Sequence, residues 1–114
     1  MSGRRGYAIG HLRGVRLGPD IRRYLEEIEA TMAPFGGEFL VHGTTAEVLE
    51  GPPVGDVILI GFPSVQAARD WYASPAYQAI LPLRTEHAQS NVVLLEGVSE
   101  GYRAAETVAK VFGS

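Results

Sequence analysis

Asp56-Val57-Ile58-Leu59-Ile60-Gly61-Phe62-Pro63-Ser64 is the stretch that decides the fold. Its β-branched and aromatic residues predict a strand from Asp56 to Phe62. Val57 and Leu59 would point to one side and Ile58 and Ile60 to the other, so both faces are apolar, as in a strand covered on both sides. Ser64 then predicts a helix N-cap, opening a helix from Val65 to Tyr72. Ser74-Pro75 restarts a short helix, with a cap followed by proline in the first turn. Pro82 is expected to begin a further turn carrying Arg84, Glu86 and His87. Asn91 to Glu96 (Asn-Val-Val-Leu-Leu-Glu) is a second strand apolar on both faces.

Upstream, Gly51-Pro52-Pro53 breaks the chain, and a similar order precedes it. Tyr7 to Val15 has strand character, with Tyr7, Ile9, His11 and Arg13 on one face and Ala8, Gly10 and Leu12 on the other. After Gly18, Pro19 suits the first helical position and Asp20 the positive end of the helix dipole. Ile21, Tyr24, Leu25, Ile28 and Met32 follow at helical spacing, opposite Arg22, Arg23, Glu26, Glu27 and Glu29. Pro34 and Gly36-Gly37 end that helix. Glu38 to His42 is the next strand, and Ala46 to Glu50 is expected to continue it or to pair beside it. The order is β-α-β twice, which predicts an α+β, ferredoxin-like βαββαβ fold with an antiparallel four-stranded sheet. Residues 1–97 form the expected domain. Residues 98–114 form a C-terminal helical extension, in which Tyr102, Ala105, Val108, Ala109 and Phe112 make an apolar stripe.

The chain has 114 residues, 46% hydrophobic and 20% charged, which fits one globular domain and excludes a disordered or fibrous chain. At this size a monomer buries only roughly two thirds of its unfolded surface. One helical layer can cover one sheet face, so the second apolar face needs another cover: the C-terminal helix or a second copy. A homodimer closing a two-subunit α/β barrel is the expectation. No apolar run approaches the roughly 20 residues that span a bilayer, and Met1-Ser2-Gly3-Arg4-Arg5 leads into no apolar core of a secretory signal. The expected location is cytoplasmic, with no membrane partner. Net charge is −3, and the early arginines (Arg4, Arg5, Arg13, Arg16, Arg22, Arg23) read as solvated surface, so no nucleic-acid partner is expected.

The chemistry available is narrow. The chain has no cysteine, which removes disulfides, thiol nucleophiles and zinc–thiolate sites. His11, His42 and His87 occur in none of the spacings of a metal motif, no G-x-S-x-G elbow is present, and no glycine-rich phosphate loop leads into a helix. No metal and no bound cofactor are expected. Arg84 follows an aromatic-rich segment with Trp71, Tyr72 and Tyr77; a guanidinium near such rings can hold a carboxylate or a planar ligand, or can pair with Glu86 or Glu50. Trp71 and Tyr72 are adjacent, so they point about 100° apart and only one can face the core. Arg13, His42, Trp71, Tyr72, Tyr77 and Arg84 are therefore the candidate ligand-binding residues, and His11 and Tyr24 the candidate catalytic ones.

Gly36-Gly37, Glu50-Gly51, Phe62-Pro63-Ser64, Ala67-Ala68, Trp71-Tyr72, Ser74-Pro75, Tyr77-Gln78, Arg84 and Glu96-Gly97 occur in that order. Together they resemble a small bacterial family of unknown function, numbered 1330 among such families, within the dimeric α/β-barrel superfamily. The resemblance runs from about Tyr7 to Gly97 and implies the ferredoxin-like fold and the dimer, but no reaction. The family carries basic residues after the double glycine and near the end of that strand, where this chain has Glu38 and His42. The functions this leaves are binding of a small acidic or aromatic organic molecule in a cleft between helices and sheet, or a metal- and cofactor-free enzyme, monooxygenase- or isomerase-like, using His/Tyr acid–base chemistry.

Overall fold

The computed structural model describes residues 4–113. Four strands, β1 (Gly6–Arg13), β2 (Glu38–Val41), β3 (Asp56–Phe62) and β4 (Gln89–Glu96), form one sheet in the order β2-β3-β1-β4. Every neighbouring pair is antiparallel. Helices α1 (Pro19–Met32), α2 (Val65–Ala73) and α3 (Pro75–Thr85) cross over between strands, and α4 (Ala104–Phe112) follows β4. This is the expected α+β, ferredoxin-like βαββαβ arrangement, with its second helix broken in two.

The break sits at Ser74, whose extended backbone (φ −65°, ψ 146°) ends one helix and starts the next. Its hydroxyl donates to the Trp71 carbonyl at 2.7 Å and accepts from the Tyr77 amide at 3.3 Å, so one side chain satisfies both helix ends. Pro82 does not begin a separate turn: it lies inside α3, which continues to Thr85. A proline there forfeits one backbone bond, but Tyr77, Ile80 and Arg84 bury the inner side of α3 across that point. Ala46 to Glu50 is not a strand either. The connection 42–55 is almost wholly exposed loop, and the outer edge of β2, a strand at the end of the sheet, stays unpaired among the described residues. β1 stops at Arg13 rather than Val15, where Gly14 turns with φ 61°.

Register fixes the two sheet faces. Ala8 is opposite Ile60 and Leu94, and Gly10 is opposite Ile58 and Val92. This face meets the helices: Tyr24, Ile28 and Met32 of α1 pack with Ile60, Phe62, Ala68, Trp71, Tyr77 and Ile80. Gly37 is required beside it, since a Cβ there would come within 2.6 Å of the Phe62 ring. Tyr7, Ile9 and His11, with Leu59, Val57, Val93 and Leu95 across from them, form the other face. No helix among the described residues covers it: Val93 is 46% and Leu95 51% exposed. The C-terminal helix is not the cover, because α4 buries none of its residues and its Val108 and Phe112 remain in solvent. The radius of gyration of 16.1 Å exceeds the roughly 13 Å of a compact chain this long, as a projecting α4 requires.

Candidate functional site

Between α1, α3 and the covered face lies a cavity of about 380 Å³. Its walls are apolar: Ile21, Leu25 and Ile28 from α1, Ala8, Ile58 and Ile60 from the sheet, and Phe39 from β2. Period-3.6 spacing on α1 and period-2 spacing on β1 and β3 aim these side chains inward. Gly10 lines it too, and a Cβ added there would meet nothing within 4 Å.

The polar floor is built around Arg84. This arginine is only 4% exposed and takes part in none of the ion pairs among the described residues. The alternative pairing with Glu86 or Glu50 does not form. Instead Nε donates to the Tyr24 hydroxyl at 3.2 Å, Nη1 to the Ser90 hydroxyl at 2.5 Å and Nη2 to the Tyr77 hydroxyl at 3.3 Å. The two tyrosine oxygens are 2.7 Å apart. They meet one flank of the guanidinium as the two oxygens of a carboxylate would, but without its charge. Burial, then the neighbouring Tyr77, push the Tyr24 pKa above the ordinary 10.0, with Arg84 opposing weakly, so the hydroxyl keeps its proton. For Arg84 burial acts downward and the two tyrosine oxygens more than offset it, leaving the pKa raised and the group cationic.

Trp71 is buried against this floor, its indole nitrogen donating to the Thr31 hydroxyl at 3.0 Å, which in turn donates to the Ile28 carbonyl at 2.6 Å. Its ring lies 4.2 Å from that of Tyr77. Tyr72, half-buried, packs against the outer side of the same aromatic group. At the mouth, exposed His42 stacks on Phe39 with ring centroids 4.1 Å apart, next to Thr44, Thr45 and Asp56.

The sequence-predicted residues thus divide. Tyr24, His42, Trp71, Tyr77 and Arg84 line the cavity; His11, Arg13 and Tyr72 do not. His11 and Arg13 belong to the uncovered face, where Arg13 donates to the Asn91 amide oxygen at 3.2 Å. Two participants escaped sequence reasoning. Ser90 shares a sheet face with Val92 and Leu94, so alternation along β4 could have aimed it at Arg84. Thr31, three residues after Ile28, falls on the buried stripe of α1. Among the described residues no group of His, Asp and Glu side chains is arranged to hold a metal ion, and no helix is long and apolar enough to cross a membrane.

Residues 5–98 match a family described as a domain of unknown function, DUF1330. The chain belongs to this family. The match ends before α4, which is therefore additional to the DUF1330 domain. Among solved structures it is similar to a protein of unknown function from Rhodopseudomonas palustris, at 19% identity over 83% of each chain with a TM-score of 0.62. It is also similar to a dimeric ferredoxin-like protein of unknown function from Thermobifida fusca, at 13% identity over 82% of this chain and 92% of that one, TM-score 0.56. A third is SnoaB, a cofactor-independent oxygenase from Streptomyces nogalater: 13% identity, 90% of this chain and 100% of that one, TM-score 0.52. At these identities the likeness shows the shared fold. No curated protein matches the chain.

Proposed function

We propose that this DUF1330 protein is a cytoplasmic homodimer that binds a small acidic or aromatic organic molecule in the cavity between its helices and sheet. The observation that carries the binding reading is Arg84, a buried cation without a carboxylate partner among the described residues, on the floor of an apolar cavity. A buried charge left without an opposite charge is costly, and an anionic ligand would offset that cost. Apolar walls around a few convergent polar groups are the usual makeup of a small-molecule site. The dimer draws on the uncovered apolar face, which a second copy would bury, and on the dimeric Thermobifida fusca neighbour.

Trp71 is the only tryptophan in the chain and lines the cavity, so its emission reports occupancy. A panel of aromatic and aliphatic acids should contain compounds that change Trp71 fluorescence saturably and raise the melting temperature by mass action. A panel that moves neither signal would refute the binding reading.

A second reading, a metal- and cofactor-free enzyme of monooxygenase- or isomerase-like type, is favoured by one feature. The Tyr24–Tyr77 hydroxyl pair held against Arg84 is built to stabilise negative charge developing on a substrate oxygen. The SnoaB neighbour is a cofactor-independent oxygenase on a similar fold. Under this reading a bound compound is converted, and Tyr24→Phe slows conversion more than it weakens binding. Under the binding reading the same compound is recovered unchanged.

A further inference from the structure

The identity of the ligand's polar end can be narrowed by counting hydrogen-bond donors. A guanidinium has five N–H groups, and Arg84 directs one each from Nε, Nη1 and Nη2 at protein oxygens. One further N–H remains on Nη1 and one on Nη2. The paired tyrosine hydroxyls share one hydrogen bond, which uses one of their two protons and leaves the other. The floor therefore holds four donors that protein acceptors do not use, two N–H groups of Arg84, one tyrosine O–H and the Ser90 O–H, gathered around one buried cation that forms no ion pair among the described residues. Its ligand should bring acceptor oxygens and a negative charge, and no donors.

The rest of the lining favours a single charge on the ligand. Arg84 is the only Lys or Arg among the described residues that line the cavity. The one carboxylate of the lining, Asp56, starts β3 near the mouth and is exposed. A second anionic group inside the cavity would meet apolar walls, which oppose it, and at the mouth the exposed His42 and the Thr44 and Thr45 hydroxyls line the cavity together with the opposing carboxylate of Asp56. We infer that the cavity selects monocarboxylates with an apolar, preferably aromatic body, and discriminates against both dicarboxylates and uncharged isosteres. This rests on the binding reading above and adds the chemical class.

Three probes with one aromatic body separate the possibilities: naphthylacetate, its neutral amide naphthylacetamide, and a naphthalene dicarboxylate, each titrated calorimetrically into the native protein. Because hydrogen bonds to a charged group are stronger than those between neutral groups, naphthylacetate should bind about tenfold or more tighter than the amide. It should also bind more tightly than the dicarboxylate, and Asp56→Asn, an exposed change, should narrow that second gap. Arg84→Met should abolish the preference for acid over amide. The acid–amide comparison uses the native chain and does not depend on that variant folding. Equal affinity for acid and amide, or tighter binding of the dicarboxylate, would overturn the monocarboxylate assignment while leaving a ligand cavity in place. Absence of binding by all three, together with no effect of the wider acid panel on Trp71, would remove both the assignment and the reading beneath it.

Discussion

The two faces of the sheet are made from the same strands and have similar apolar content, yet they differ in nearly every other respect. On the helix side Ala8, Ile60 and Phe62 are buried under α1, α2 and α3, and the gap that the helices leave is the Arg84 cavity. On the other side Val93 and Leu95 lie in the open and Ile9 and Leu59 are half-buried, with His11 and Arg13 at their edge. The contrast shows that strand hydrophobicity marks a surface to be covered without saying what covers it. Helices cover one face and bring buried polar groups with them. Among the described residues the other face carries no buried polar cluster, and its pattern suits an interface with a second copy.

The largest test of the contrast is Phe62→Ala. It removes a fully buried ring of the covered face and should cost about 3–5 kcal/mol of unfolding free energy in a urea titration. A loss under about 1 kcal/mol would mean that the helix layer is not the main core. Next comes Leu95→Arg on the open face, which puts a charge where the second copy would bury it. We expect it to weaken self-association by roughly 3 kcal/mol, about a hundredfold or more, with circular dichroism unchanged.

Tyr24→Phe probes the buried polar floor and should cost about 1–2 kcal/mol at neutral pH, because Arg84 Nε and the Tyr77 hydroxyl lose a partner. Its pH signature is more specific. The folded pKa of Tyr24 lies above its ordinary 10.0, so its contribution is fully present below that value. The contribution declines as pH rises beyond it, since the unfolded chain then releases a proton that the folded one retains. Native protein should therefore lose stability above pH 10.0 more steeply than Tyr24→Phe, as read from urea midpoints. Gly10→Val has the smallest expected effect on folding. Its side chain enters open cavity space on a strand, where a β-branched residue is favoured over glycine. Stability should hold or rise by under about 1 kcal/mol, while the Trp71 response to ligand disappears.

Much of this was legible in advance, and the failures have physical causes. The doubly apolar β3, the serine caps at 64 and 74 and the Pro19 helix start all rest on local chemistry, which a sequence displays. Ala46 to Glu50 looks like a strand for the same local reason, but a strand also needs a partner, and partners are set by topology. Pro82 looked like a break because proline weakens a helix locally; burial of Tyr77 and Arg84 on either side outweighs that. The site was half visible. Alternation along β1 separates His11 from Gly10, but it does not say which face the helices take, so His11 and Tyr24 could be imagined in one cleft. Tyr24 and Arg84 are 60 positions apart, and nothing local announces their contact.

In the proposed homodimer the open face is an interface between two copies, as the covered face is an interface between sheet and helices. Multi-angle light scattering on the native protein at micromolar concentration tests it most directly. A particle of twice the chain's 12.3 kDa mass is the expected result. A monomer under those conditions, with Val93 and Leu95 left in solvent, would contradict it.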